Sequence, residues 1–159
     1  MIEVWTDGSY VPTERIACIG FVIENNGATI AKKGKAVGVG KGMTSNVAEY
    51  YALIHALREI QRLKLEREEI LVRSDSELLV KQMNGEYKVR ALHLEPLKDE
   101  ARSLIQTSRF KIVWINKEQN EEAHELAQSA YEQWLADGKI AEEEPKKPNY
   151  GLDFFIKKT

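Results

Sequence analysis

"RIACIGFVIENNGATIAKKGKAV", residues 15 to 37, decides the fold. Its first half, Arg15 to Asn25, is dense in β-branched and apolar side chains and reads as a strand. Asn25-Asn26-Gly27 is a hairpin signal, because Asn and Gly tolerate the positive φ angles of a tight β-turn. Ala28 to Val37 then reads as the returning strand. Ahead of this pair, "IEVWTD" (residues 2–7) is another short strand, which Asp7-Gly8 ends as a turn pair. Three strands in such close succession point to an antiparallel meander.

Beyond the meander the pattern changes to alternating helices and strands. A glycine-rich connection, "GVGKG" (38–42), leads into a helical pattern from about Thr44 to Leu63. Val47, Tyr50, Tyr51, Ile54, Leu57 and Ile60 recur there near helical spacing. "EEILVRSD" (68–75) is a fourth strand, apolar enough to suggest burial on both faces. "SELLVKQMNG" (76–85) is a short helix closed by Asn84-Gly85, and "EPLKDEARSLIQTS" (95–108) is a helix with Pro96 in its first turn. "RFKIVWIN" (109–116) is a fifth strand. "EQNEEAHELAQSAYEQWLADG" (118–138) is the last helix, ended by Gly138. The order β-β-β-α-β-α-α-β-α implies an α/β fold, a five-stranded mixed sheet flanked by helices. Residues 1–138 form the expected domain, and 139–159 a charged, proline-containing tail.

Composition limits the functions open to such a domain. The chain has 159 residues and 43% hydrophobic content, which suits one domain with a packed core. Its net charge is −2, so nucleic-acid binding would have to come from a local patch. A lone cysteine, Cys18, rules out an internal disulfide and fits a reducing compartment. No stretch is long and apolar enough to span a bilayer, and "MIEVWTDGSY" lacks the features of a signal peptide. A cytoplasmic, monomeric protein is expected.

Three acids lie at element junctions: Asp7 at the end of the first strand, Glu49 in the first turns of the long helix, and Asp75 at the end of the fourth strand. Each has an ordinary explanation. Asp-Gly is a turn pair, and both Asn46-x-x-Glu49 and Ser74-x-x-Glu77 have capping-box spacing. Together they can converge at the carboxyl ends of strands, where ligands collect in mixed sheets. Converging carboxylates repel one another and call for a cation; oxygen ligands suit Mg²⁺ or Mn²⁺. Two such ions roughly 3.5–4 Å apart serve phosphodiester hydrolysis.

"WTDGSY" (5–10), "GMTSNVAEYYALIHAL" (42–57), "LVRSDSELLVKQMNGEYKV" (71–89) and "NEEAHELAQSA" (120–130) resemble, in order, the four blocks of the type 1 ribonuclease H family. The resemblance spans about residues 1–138. It implies a ribonuclease H-like fold and two ions of Mg²⁺ or Mn²⁺ per site. It also implies hydrolysis of the RNA strand of RNA–DNA hybrids to leave 5′-phosphate ends. Asp7 would bridge both ions, and Glu49 and Asp75 would hold the second. Two alternatives stand beside this reading: a catalytically weakened nucleic-acid-binding module on the same fold, and a nuclease that also acts on double-stranded RNA.

The fourth block departs from the family pattern, Ala-Asp-x-Leu-Ala. Here it reads Ala123-His124-Glu125-Leu126-Ala127, with histidine where the resemblance implies a carboxylate near the attacking water. His124 can ligate the metal as neutral imidazole, hold a metal-bound water, or mark a weakened site. Ligation would favour Mn²⁺ over Mg²⁺ and lower activity as pH falls through the histidine's titration. Glu121 is a backup acid, nearly one turn back on the same helix.

For substrate contact, the resemblance points to Thr44, Ser45 and Asn46. Gly8 and Ser9 offer amides beside Asp7, with Gly8 leaving room for a sugar-phosphate backbone; Ser76 is a further candidate. Many members carry a basic protrusion after the third block. Only "YKVRALHLEP" (87–96) occupies that place, with Lys88 and Arg90, which implies a form without it. The loop "NKEQNEEA" (116–123) lacks the histidine that members often place before the last helix. Trp5, Trp114 and Trp134 fall in strand, strand and helix patterns and are expected in the core. In the tail, "GLDFF" (151–155) resembles the peptide by which bacterial proteins dock on a sliding clamp.

Overall fold

The computed structural model describes residues 1–106 and 108–139. The clamp-like stretch at 151–155 lies outside them. Five strands, β1 (Ile2–Val11), β2 (Ile16–Asn25), β3 (Ala28–Val39), β4 (Glu69–Ser74) and β5 (Arg109–Trp114), form one sheet in the order β3-β2-β1-β4-β5. The first three pair antiparallel, while β4 joins β1, and β5 joins β4, in parallel. The helices are α1 (Ser45–Arg62), α2 (Glu77–Met83), α3 (Glu95–Leu104) and α4 (Glu121–Ala136).

The β2–β3 turn is as the residues require. Asn25 pairs with Ala28, and Asn26 and Gly27 both take positive φ, 51° and 84°, the backbone of a type I′ hairpin. The first strand, in contrast, does not end at Asp7-Gly8. It continues to Val11, with Asp7 opposite Gly20 and Gly8 opposite Ile19. The Asp-Gly pair is not a turn, because the antiparallel ladder with β2 supplies its backbone partners.

Helices cover both sheet faces, unequally. On one side, Ile2, Val4, Ile19, Phe21 and Val72 meet Tyr50, Leu53 and Leu57 of α1 and Leu97 of α3. Fully burying an aliphatic side chain of this kind stabilises by roughly 1.5–3 kcal/mol, so this layer dominates the fold. On the other side α4 lies over β1, β2 and β3. Gly20 and Gly34 admit it: a Cβ on either would stand 2.0 Å from the Ala123 carbonyl oxygen or 2.2 Å from that of Leu126. Trp134, near the end of α4, closes a small second core with Ile16, Cys18 and Ala36.

Because α4 stops short of β4, that strand is not buried on both faces as its composition suggests. Ile70, Val72 and Ser74 are buried, whereas Leu71 and Arg73 are half-covered. Arg73 holds Glu3 at 2.6 Å and lies over the Trp5 ring at 4.8 Å from its centroid. Of the three tryptophans, Trp134 is core, Trp5 is half-buried, and Trp114 is 54% exposed on the edge strand β5, contrary to expectation. Near the helix starts, Thr44, not Asn46, caps α1 by accepting from the Val47 amide at 3.1 Å. Ser76, not Ser74, caps α2 by accepting from the Leu79 amide at 3.2 Å.

Candidate active site

The site opens where the parallel part of the sheet runs out. Pairing of β1 with β4 ends at Thr6 and Ser74, so Asp7 and Asp75 are the next residues on two strands that part company. Such a split at the carboxyl ends of parallel strands leaves a crevice. Glu49 enters it from α1, one turn after the cap. One oxygen from each of Asp7, Glu49 and Asp75 lies within 4.8 Å of the others.

Gly8 is what brings α1 so near. A Cβ there would sit 2.3 Å from the Ala48 carbonyl carbon and the Glu49 nitrogen. Its amide donates to the Glu49 carboxylate. The need for glycine therefore comes from the contact between β1 and α1, and the amide expected to meet substrate is already engaged with Glu49.

His124 arrives from the opposite face. Asn120, buried at the start of α4, donates its side-chain amide to the Thr6 carbonyl at 2.9 Å. That bond ties the helix to the residue before Asp7. One turn on, the His124 Nδ1 stands 3.0 Å from Asp7 Oδ2, with the imidazole 62% exposed. The site thus gathers the four side chains Asp7, Glu49, Asp75 and His124.

The electrostatics reflect crowding. Burial, then the Asp75 charge, pushes the Asp7 carboxyl up to about 6, against the opposing pull of His124. Burial, then Asp7 and Asp75, raises Glu49 well above the usual carboxylate range; the Gly8 amide and Lys117 pull it back. These are hard oxygen donors whose mutual repulsion a divalent cation relieves, so the cluster fits the metal its residue types suggest.

The other expected residues divide. Ser9 lines the same cleft, of about 630 Å³, as do Glu121 and Glu125. Asn46 lines a neighbouring groove of about 570 Å³ with Tyr87, Lys88 and Arg90. Thr44 and Ser76 have capping hydroxyls, and Ser45 is exposed in the first turn of α1. The sequence pattern does not single out Lys117, yet this residue lines the carboxylate cleft. The signal that could have found it is one cation in an acidic loop ahead of α4.

The family described as "Reverse transcriptase-like" matches residues 5–130. The RNase H1 called LC11, obtained from compost by a metagenomic approach and solved with an RNA/DNA hybrid, is 35% identical. That likeness covers 85% of this chain and 99% of that one, with a TM-score of 0.77. The chain belongs to the type 1 ribonuclease H family. RNase H1 from the halophilic archaeon Halobacterium salinarum NRC-1 is also similar, at 28% identity over 83% of this chain and 98% of that one, with a TM-score of 0.75. The bifunctional protein Rv2228c of Mycobacterium tuberculosis is 33% identical over 124 residues. Those cover 77% of this chain but 32% of that protein, so the chain spans about a third of the length of such curated relatives. Within the ribonuclease H fold, the four blocks of this chain fall on β1, α1, the end of β4 and α4.

Proposed function

We propose that the protein is an endoribonuclease that hydrolyses the RNA strand of RNA–DNA hybrids with two divalent ions, leaving 5′-phosphate ends. The observation that carries this is the meeting of Asp7, Glu49 and Asp75 within 4.8 Å at the strand split, in a chain of the ribonuclease H family. The hybrid in the LC11 structure supports the substrate class. Asp7, Glu49, Asp75 and His124 are the residues that would hold the ions, Asp7 lying between the other carboxylates and His124. When bound, Mg²⁺ or Mn²⁺ supplies Lewis-acid polarisation of the phosphate and an activated water. The protein's own part is to orient. The Gly8 amide fixes Glu49, and His124 holds Asp7 from the exposed side. Asn46, Lys88 and Arg90 line a path for the nucleic acid beside the cleft. A nitrogen donor at His124 favours Mn²⁺.

The test is cleavage of RNA–DNA, RNA–RNA and DNA–DNA duplexes in Mg²⁺ and in Mn²⁺, with Asp7→Asn as control. Cleavage of the hybrid's RNA strand, abolished by the substitution, is expected. Cleavage of RNA–RNA at a similar rate would establish the broader nuclease instead. No hybrid cleavage in either metal would leave a binding module.

A further inference from the structure

We propose that Lys117 is a substrate-binding residue whose ammonium contacts a backbone phosphate of the nucleic acid at the carboxylate cleft. The inference rests on the nuclease reading and deepens it.

The cleft is a hostile place for a phosphodiester. Asp7, Glu49, Asp75, Glu121 and Glu125 all line it, and among its described lining residues Lys117 is the one ammonium. Bound cations would offset part of the repulsion, but a phosphate must also be attracted from outside the metal position. Lys117 is exposed and forms no ion pair with a described residue, so its charge faces solvent and any ligand that enters. Its field nevertheless reaches the site, because it opposes the upward shift of Glu49.

The backbone beneath it is fixed. The Ile115 amide donates to the Ser74 carbonyl at 2.9 Å, immediately before Asp75. Asn120 donates to the Thr6 carbonyl at 2.9 Å, immediately before Asp7. Between these anchors, Lys117–Gln119 form a 3₁₀ turn, with Gln119 accepting from the Asn116 amide at 3.1 Å. The segment is thus tied at both ends to the residues preceding the two aspartates. A long flexible side chain on a held backbone is suited to follow a phosphate as a point charge. A role limited to damping carboxylate repulsion would use the same charge but would show in stability, not in affinity.

The experiment uses the full chain, with Lys117→Ala and Lys117→Arg. Anisotropy of a labelled RNA–DNA hybrid in EDTA, over a series of KCl concentrations, reads affinity apart from catalysis. Thermal melting and the KM and kcat in Mg²⁺ accompany it. Lys117→Ala is expected to weaken binding several-fold at low salt and to reduce the slope of log affinity against log salt by about one. KM should rise more than kcat falls, and Lys117→Arg should restore both. Unchanged affinity and slope in Lys117→Ala, whatever happens to kcat or melting, would overturn the proposal while wild-type hybrid binding keeps the nuclease reading intact. A wild-type chain that binds no hybrid would overturn both.

Discussion

Two helices deliver side chains to the same aspartate, and they do so differently. Gly8 lets α1 press against β1, and its amide holds the Glu49 carboxylate, which loses most of its water there. Gly20 and Gly34 let α4 press equally closely on β2 and β3, but His124 remains 62% exposed with Asp7 as its polar contact. The packing is alike; the freedom left to the side chain is not. A donor locked by backbone hydrogen bonding can be replaced only by its like. One at the solvent edge can be exchanged for a different chemistry, and this chain has histidine there.

The largest effect expected from that difference is on turnover. Glu49→Gln removes a charged donor held inside the cleft and should lower hybrid cleavage by about 10²–10³-fold, as losing one preorganised electrostatic group does. His124→Ala should leave far more activity. Similar losses for the two, measured as kcat/KM in Mn²⁺, would erase the contrast.

Stability provides the second comparison. Gly8→Ala forces β1 and α1 apart against backbone atoms and should cost about 3 kcal/mol, the upper range for overpacking. Gly20→Ala crowds α4 instead, so chemical denaturation should show a similar loss while the pKa values of Asp7 and Glu49 move less. Asp7 adds a pH term. Its carboxyl is raised from 3.8 to about 6, so folding favours the protonated form. That stabilisation is complete below the unfolded value near 4 and is lost as pH climbs through about 6. Asp7→Asn removes the burden and should stabilise the chain in EDTA at pH 7 by roughly 2 kcal/mol, with no gain at pH 3.5. Melting curves at the two pH values check the sign.

The smallest effect belongs to the exposed side chain, His124. His124→Asp should raise activity in Mg²⁺ by about tenfold relative to Mn²⁺, since Mg²⁺ prefers oxygen. An unchanged metal ratio would take His124 out of the metal site.

Much of this is legible in the residues because spacing carries it. The Asn26-Gly27 hairpin, the helical period of α1 and the succession of strands and helices arise from local chemistry. The four-block pattern brings Asp7, Glu49, Asp75 and His124 forward from the sequence alone. What local chemistry misses is long-range. Asp7-Gly8 has the composition of a turn, but a ladder with β2 overrides it. Gly8 invites a ligand on paper, while the space it leaves is filled by α1. The apolar run of β4 reads as doubly buried, yet α4 does not extend across it. Trp114 reads as core, but an edge strand leaves it in water. Lys117 becomes visible only when the folded loop places it beside acids more than forty residues away.

Calorimetric titration of Mn²⁺ into wild type, Glu49→Gln and Asp75→Asn puts the gathering of carboxylates to direct test. Saturable binding by wild type, weakened at least about tenfold in each variant because each loses a charged ligand, is the expected result. Equal Mn²⁺ affinity in all three proteins would contradict a shared metal site at the split between β1 and β4.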